Sequence, residues 1–194
     1  MTLTDQQMYT HWRRYRGLEP ELSDCSVEMF EGADLTARLH VEMRQWYLDL
    51  LDHGDLGLLT LTDVASRLAF TPADAAGVWR APLPPDVRRP VTLTLAGGLT
   101  VAVQHAGDPA VQRALMLANN PYSRQCAMQP LVYVDGGRTL TLVAAGSDSQ
   151  APHVLSAMAV VDPGDELYTM DESALGLLYG TSVKNANAKN QSQP

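Results

Sequence analysis

The apolar residues of this chain change their spacing once, near Val78, and that change limits what the chain can fold into. Upstream, Leu35, Leu39, Met43, Trp46, Tyr47 and Leu50 recur at the intervals of one helix face. Downstream, Val91, Leu93 and Leu95 alternate with Thr92 and Thr94, and Val101 and Val103 resume the alternation after Gly97-Gly98, as in a half-buried hairpin. Helices first and strands second, with no regular strand–helix alternation, predict an α+β fold: an N-terminal helical part, then antiparallel β-hairpins with a short helix, then a C-terminal helix.

Local signals refine this outline. The long helix is expected over Leu35 to Leu51, with Asp34 as its N-terminal cap and Gly54 as a left-handed stop. A shorter helix is expected over Glu21 to Phe30, and another in "DVASRLAF", capped by Thr62 and ended before Pro72. Asp108 and Pro109 open a short helix in "DPAVQRALML". Pro130–Val134 and Thr139–Val143 flank Asp135, Gly136 and Gly137 as a second hairpin, and Val154–Val161 reads as one more strand. Asp171-Glu172 opens a final helix over Met170 to Tyr179, with Leu175 and Leu178 on its apolar side. The chain divides accordingly into an arm at 1–17, a helical part at 18–76, a β-rich part with short helices at 77–183, and a flexible polar tail at 184–194. The arm's aromatics, Tyr9, Trp12 and Tyr15, need a surface to rest on.

Composition excludes several functions. With 45% apolar residues in 194, the chain can bury a core. A net charge of -8 argues against gripping nucleic acid through phosphates, and only "RRYR" (13 to 16) and "VRRP" (87 to 90) are locally basic. Cys25 and Cys126 form no paired motif and read as small buried hydrophobes in a reducing compartment, with one disulfide left open as the alternative. No signal-peptide run or membrane-length apolar stretch is found, so the expected setting is aqueous, without a membrane partner.

The search for chemistry singles out little. None of the five histidines has metal-site spacing, and His40 reads as a satisfied, partly buried imidazole beside the long helix's apolar face. Cys126, Cys25 or Ser123 can be grouped with His105 as base and Asp108 as orienter, but "PYSRQ" is no nucleophile elbow. The glycine pairs join strand to strand, not strand to helix, so they do not cradle phosphate. The carboxylate pairs Asp165-Glu166 and Asp171-Glu172 read as helix-start electrostatics. No cofactor and no metal are expected.

The series "LPPDVRRPVTLTLAGG", "DPAVQRALMLANNPYSRQCAMQPLVYVDGGRTLTLVAAG", "LSAMAVVDP" and "DESALGLLYGTSV" resembles the head–tail connector, or adaptor, proteins of tailed bacteriophages, especially short-tailed phages of gut Bacteroidetes. The matching positions run from Leu83 to Asp86, Asp108-Pro109, Asn120 to Arg124, Pro130 to Val134, Asp162-Pro163 and Asp171 onward, within residues 60 to 183. The first hairpin departs from that pattern in lacking a bulky aromatic. The resemblance implies a non-enzymatic virion protein at the head–tail junction, assembled in the host cytoplasm. It implies a homo-oligomeric ring, a dodecamer in the pattern of the family, that binds portal and tail proteins and passes DNA without specific binding. Contact segments expected on that basis are the arm (Trp12, Arg13, Arg14, Arg16), the "NNPYSR" loop (Asn119, Asn120, Tyr122, Arg124), the hairpin tips (Gly97, Gly98, Gly136, Gly137) and the tail. The alternatives are a small cytosolic hydrolase or thiol enzyme using Cys126 or Ser123 with His105, and a monomeric binding module with one concave patch.

Overall fold

A computed structural model describes residues 1–17, 32–73, 77–117, 130–144 and 152–178. The expected helix at 21–30, the "NNPYSR" loop with Asn119, Asn120, Tyr122, Ser123 and Arg124, both cysteines and the tail at 184–194 lie outside these residues. The class is α+β. The chain forms two compact units, one from Met1–Thr60 with Asp162–Pro194 and the other from Leu61–Val161. The second unit is thus an insertion into the first, a division that the linear order of helices and strands does not announce.

The inserted unit pairs two sheets. β2 (Leu61–Asp63), β10 (Val154–Val161), β5 (Val87–Leu95) and β6 (Thr100–Ala102) form one, in that order. β3 (Thr71–Pro72), β4 (Val78–Pro82), β9 (Thr139–Val143), β8 (Leu131–Val134) and β7 (Gln104–His105) form the other. Trp79, Val132, Leu140 and Leu142 from one sheet meet Val87, Leu93, Ala157 and Ala159 from the other in a single buried cluster. Burying each larger aliphatic or aromatic side chain stabilises the unit by about 1.5–3 kcal/mol. All four sheet edges are strands of two or three residues, which limits the unpaired backbone left for stray pairing.

Both expected hairpins are present. β5 pairs with β6 through Leu93↔Val101, and β8 with β9 through Val132↔Leu142. One pair runs parallel: β7 lies beside β8 with the helix α3 (Pro109–Met116) crossing between them, because the strand after Gly97-Gly98 leaves the first sheet at Val103 and joins the second. The carboxylate of Asp108 does not cap α3. It accepts from the His105 backbone N–H at 2.9 Å. Thr62 caps no helix either. Residues 61–63 are taken up in β2, and only a 3-10 turn forms at Ala65–Arg67, where Asp63 Oδ1 accepts from Ala65 N and Ala157 N, each at 2.9 Å. These bonds, that from Ala157 foremost, hold the Asp63 carboxyl below its ordinary range.

The first unit packs α1 (Asp5–Tyr15), α2 (Gly32–His53) and a helical stretch at 172–178 with the two-stranded sheet of β1 (Thr2–Thr4) and β11 (Leu167–Thr169). Residues 1–17, expected as an arm in need of a surface, form β1 and α1 and rest on their own unit. Thr4 and Gln7 close a capping box that starts α1, and Met8 and Trp12 are buried on its inner face. α2 begins before Asp34, so that residue sits within the helix and is not its cap. Leu39, Met43, Tyr47 and Leu50 are buried as their spacing predicts, whereas Leu35 stays exposed. Gly54 does end α2, but not through a left-handed backbone. Its N–H donates to Leu50 O at 2.8 Å, and a Cβ there would collide with that carbonyl and approach Leu50 Cδ1 to 2.7 Å. Asp171 opens the last helix as expected, accepting from Ser173 N at 2.9 Å.

The second hairpin holds an unexpected residue. Gly136 and Gly137 keep negative φ, and Arg138 takes the left-handed position at φ 60°. Its Nη2 donates to the carbonyls of Pro84, Pro85 and Val87 at 3.0, 3.3 and 2.6 Å, so this strained residue braces the turn that feeds β5. Arg138→Ala keeps a side chain in that conformation and removes the bonds, and is expected to lower stability by about 1–3 kcal/mol. Arg138→Gly loses the same bonds but relaxes the backbone, recovering about 1 kcal/mol. Urea denaturation of both variants measures the difference, and equal losses would show that the turn stores no strain.

Candidate functional site

α1, α2 and the turn leading into β11 enclose the sides of a cleft of about 420 Å³ in the first unit, lined by Asp5, His40, Val41, Arg44, Gln45, Asp165, Glu166 and Tyr168. The helical period explains half of it: His40 and Arg44 are one turn apart on α2, and Tyr47 follows on the buried side. Strand β11 supplies Tyr168, and β1 leads directly into Asp5 at the first turn of α1.

Arg44 anchors the cleft floor. Its Nη2 donates to both carboxylate oxygens of Asp162, at 2.8 and 2.6 Å, and lies 3.2 Å from Asp165. The guanidinium also sits 5.6 Å from the Tyr47 ring centre and 5.7 Å from that of Tyr168, within cation–π range. Burial opposes the charge on Arg44, but the hydrogen bond and charge of Asp162, with Asp165 behind it, more than offset that and hold the proton more firmly. Arg44 Nη1 is buried without a hydrogen-bond partner among the described residues.

A second chain of contacts crosses the mouth. Asp5 Oδ1 accepts from the Tyr168 hydroxyl at 3.1 Å, and Asp5 Oδ2 stands 3.2 Å from His40 Nδ1. His40 stacks on Tyr9 at 4.1 Å between centroids and 11° between planes. The partly buried imidazole expected at this position is thus satisfied by a carboxylate and a ring. With Nδ1–H directed at Asp5, Nε2 is the nitrogen left to act as acceptor or base. Tyr47 is fully buried, its hydroxyl donating to Thr169 O at 3.1 Å and accepting from Thr169 N at 2.8 Å. Burial pushes the Tyr47 hydroxyl up to about 12. Burial followed by the hydrogen bond to Asp5 pushes Tyr168 up further.

The residues singled out from sequence scatter differently. Trp12 is no surface contact: it is 4% exposed, with Trp46 and Tyr15 rings 5.9 and 5.1 Å away. Arg16 pairs at 3.2 Å with Glu42 of its own α2. Arg13 stands over the Tyr9 ring, and Arg14 is exposed, with Gln6, Tyr9 and Thr10 beside both. Gly97-Gly98 and Gly136-Gly137 are exposed hairpin tips of the inserted unit, away in sequence and sheet from α1. His105 is exposed on the edge strand β7, and the Asp108 carboxylate meets its backbone N–H, not its ring. Asp165-Glu166 open no helix; they stand in the turn before β11. The cleft leaves no local signal in its carboxylates, because they come from two segments at opposite ends of the described chain. The readable signal was the run His40, Arg44 and Gln45 on a helix side that is otherwise apolar.

Among the described residues no cluster of three or more His, Cys, Asp or Glu could hold a metal ion, and no helix is long and apolar enough to cross a membrane. Comparison of the sequence with protein families and with curated proteins finds no match.

The buried hydroxyls make stability depend on alkaline pH. A tyrosine whose folded value lies above its ordinary 10 contributes stability that is complete below pH 10 and lost as pH rises through the folded value, here about 12. Urea midpoints should hold steady below pH 10 and then fall as the unfolded state releases the proton first. Tyr47→Phe, which strands the Thr169 N–H and C=O, should cost about 1–3 kcal/mol at neutral pH and make the alkaline decline shallower by about one proton. An unchanged slope would assign the decline to other groups.

Proposed function

We propose that this chain is a non-enzymatic virion assembly protein, a connector subunit that forms a ring between the head and tail of a tailed bacteriophage. The observation that carries the reading is where the marked steps of the resembling series fall. "LPPD" is the turn into β5, Asp108-Pro109 opens α3, Pro130 precedes β8, Asp162-Pro163 follows β10, and Asp171 opens the helix at 172–178. Each of these five steps, which lie among the described residues, is an element boundary, as a series set by one architecture requires.

Local chemistry also supports the reading. Asp86 of "LPPD" binds both terminal nitrogens of Arg67, one at 2.9 Å, and this pairing draws the Asp86 carboxyl down. Arg138 braces the same turn from the far hairpin. Polar side chains at these steps hold backbone in place. A ring subunit needs that rigidity, because its two unlike faces must keep one rotation for the ring to close. The formal charge of -8 suits a passage along which DNA slides without sticking.

Peptide mass spectrometry on gradient-purified particles from the source culture tests this. A fixed ratio of about a few per cent of the main shell protein is expected, since a single ring is small beside a shell. Particles that carry none of the chain, from cells that contain it, would overturn the reading.

A further inference from the structure

We infer that the cleft of the first unit receives the basic end of α1 from a second copy of this chain, giving a head-to-tail contact. The inference deepens the proposed ring and rests on it for its setting. Its ground is charge complementarity between an acidic rim at the start of α1, built mostly by the turn before β11, and a basic patch at the end of α1.

The acidic patch is the cleft rim. Asp165 is 93% exposed and Glu166 is exposed beside it, with Asp5 at the start of α1. Arg44 Nη2 reaches one Asp165 oxygen at 3.2 Å but binds Asp162 more closely, so one cation faces the carboxylates of Asp162, Asp165 and Glu166 and the rim keeps a net negative charge. Val41, 55% exposed, adds an apolar contact inside the same cleft. The basic patch is the outer face of α1, where Gln6, Tyr9, Thr10, Arg13 and Arg14 line a shallow groove of about 170 Å³. Met8 and Trp12 point the other way, into the core. Arg14 makes no ion pair among the described residues, and Arg13 is held over Tyr9, so both guanidinium groups are presented without an acidic partner of their own. Arg16 differs, being engaged by Glu42.

Along α1 the two patches stand about 12 Å apart, from the rise of 1.5 Å per residue between Asp5 and Arg13. Such a separation leaves each patch free to meet its opposite on another copy, and this contact between unlike surfaces repeats around a ring when the two patches of one copy engage different neighbours. The helix dipole accounts for an acid at the start of α1 and bases at its end. It does not account for Asp165 and Glu166, which enter the rim from the far end of the chain. An arginine entering the cleft would meet Asp165 and Glu166 at its head and Val41 along its stem.

The test is a charge exchange. Sedimentation equilibrium at low salt compares the parent chain, Arg13→Glu/Arg14→Glu, Asp165→Lys/Glu166→Lys, and an equal mixture of the two variants, all checked for folding by circular dichroism. The parent chain is expected to self-associate, and to do so less as salt rises through about 0.5 M. Each variant alone should associate at least tenfold more weakly, because like charges then face each other, and the mixture should regain the parent's association. Should a reversal fail to fold, Arg13→Gln/Arg14→Gln and Asp165→Asn/Glu166→Gln take its place, with the tenfold weakening of each as the expected result. A monomeric parent chain, an unweakened variant or a mixture that stays apart would overturn the contact. Particles without the chain, alongside a mixture that associates, would sink the connector reading and leave the contact standing. Particles with the chain, alongside monomers throughout, would do the reverse.

Discussion

The pairing of β2 with β10 is the constraint on which the rest of the fold depends. Val160 faces Leu61, Ala159 faces Thr62 and Met158 faces Asp63, so the two ends of the inserted unit lie side by side. Adjacent strands stand about 5 Å apart, and the intervening chain therefore behaves as a short loop for the first unit. Without that closure, β11 would have to find β1 across most of the sequence, at the entropy of a long loop. Asp63 secures the pairing twice, through Ala65 N and Ala157 N, and Val64 N adds a bond to Ala157 O at 2.8 Å.

What the closure delivers to the first unit is mostly polar. Asp162 is the residue directly after β10, and it meets Arg44 of α2. Tyr168 meets Asp5, Thr169 meets Tyr47, and Asp5 N donates to Glu166 O at 3.0 Å. Aromatic rings beneath Arg44 keep its charge near low-dielectric surface, where each hydrogen bond counts for more than it would in water. The same segment leaves Asp165 and Glu166 outside, on the rim. One short turn thus supplies both a buried anchor and an exposed charge.

Under the proposed reading, the two units divide the demands placed on an assembly subunit. In the inserted unit, hydrophobic packing between sheets and the brace from Arg138 fix the shape from which two glycine-rich tips project. In the other, a helix with unlike charges at its ends offers two surfaces that differ from each other. Stiff scaffolds that carry unlike surfaces are what closed rings are built from.

Sequence alone determined the class, both hairpins, α3, strand β10, the long helix α2 and the late helix, because period and turn residues act within a few positions of one another. It also placed the buried stripe Leu39, Met43, Tyr47 and Leu50. The tertiary structure alone decided what distant partners decide. Thr62 lost its cap role to β10, and Trp12 turned inward onto Trp46. Arg138 displaced the glycines from the left-handed position because three carbonyls of a remote turn reward it there. Asp5, His40, Arg44 and Tyr168 became one cleft only when strand pairing brought residues 162–169 back to α1 and α2. Local energies act within a turn of helix or a hairpin and so can be read along the chain. Contacts across more than a hundred residues leave no periodic trace in it.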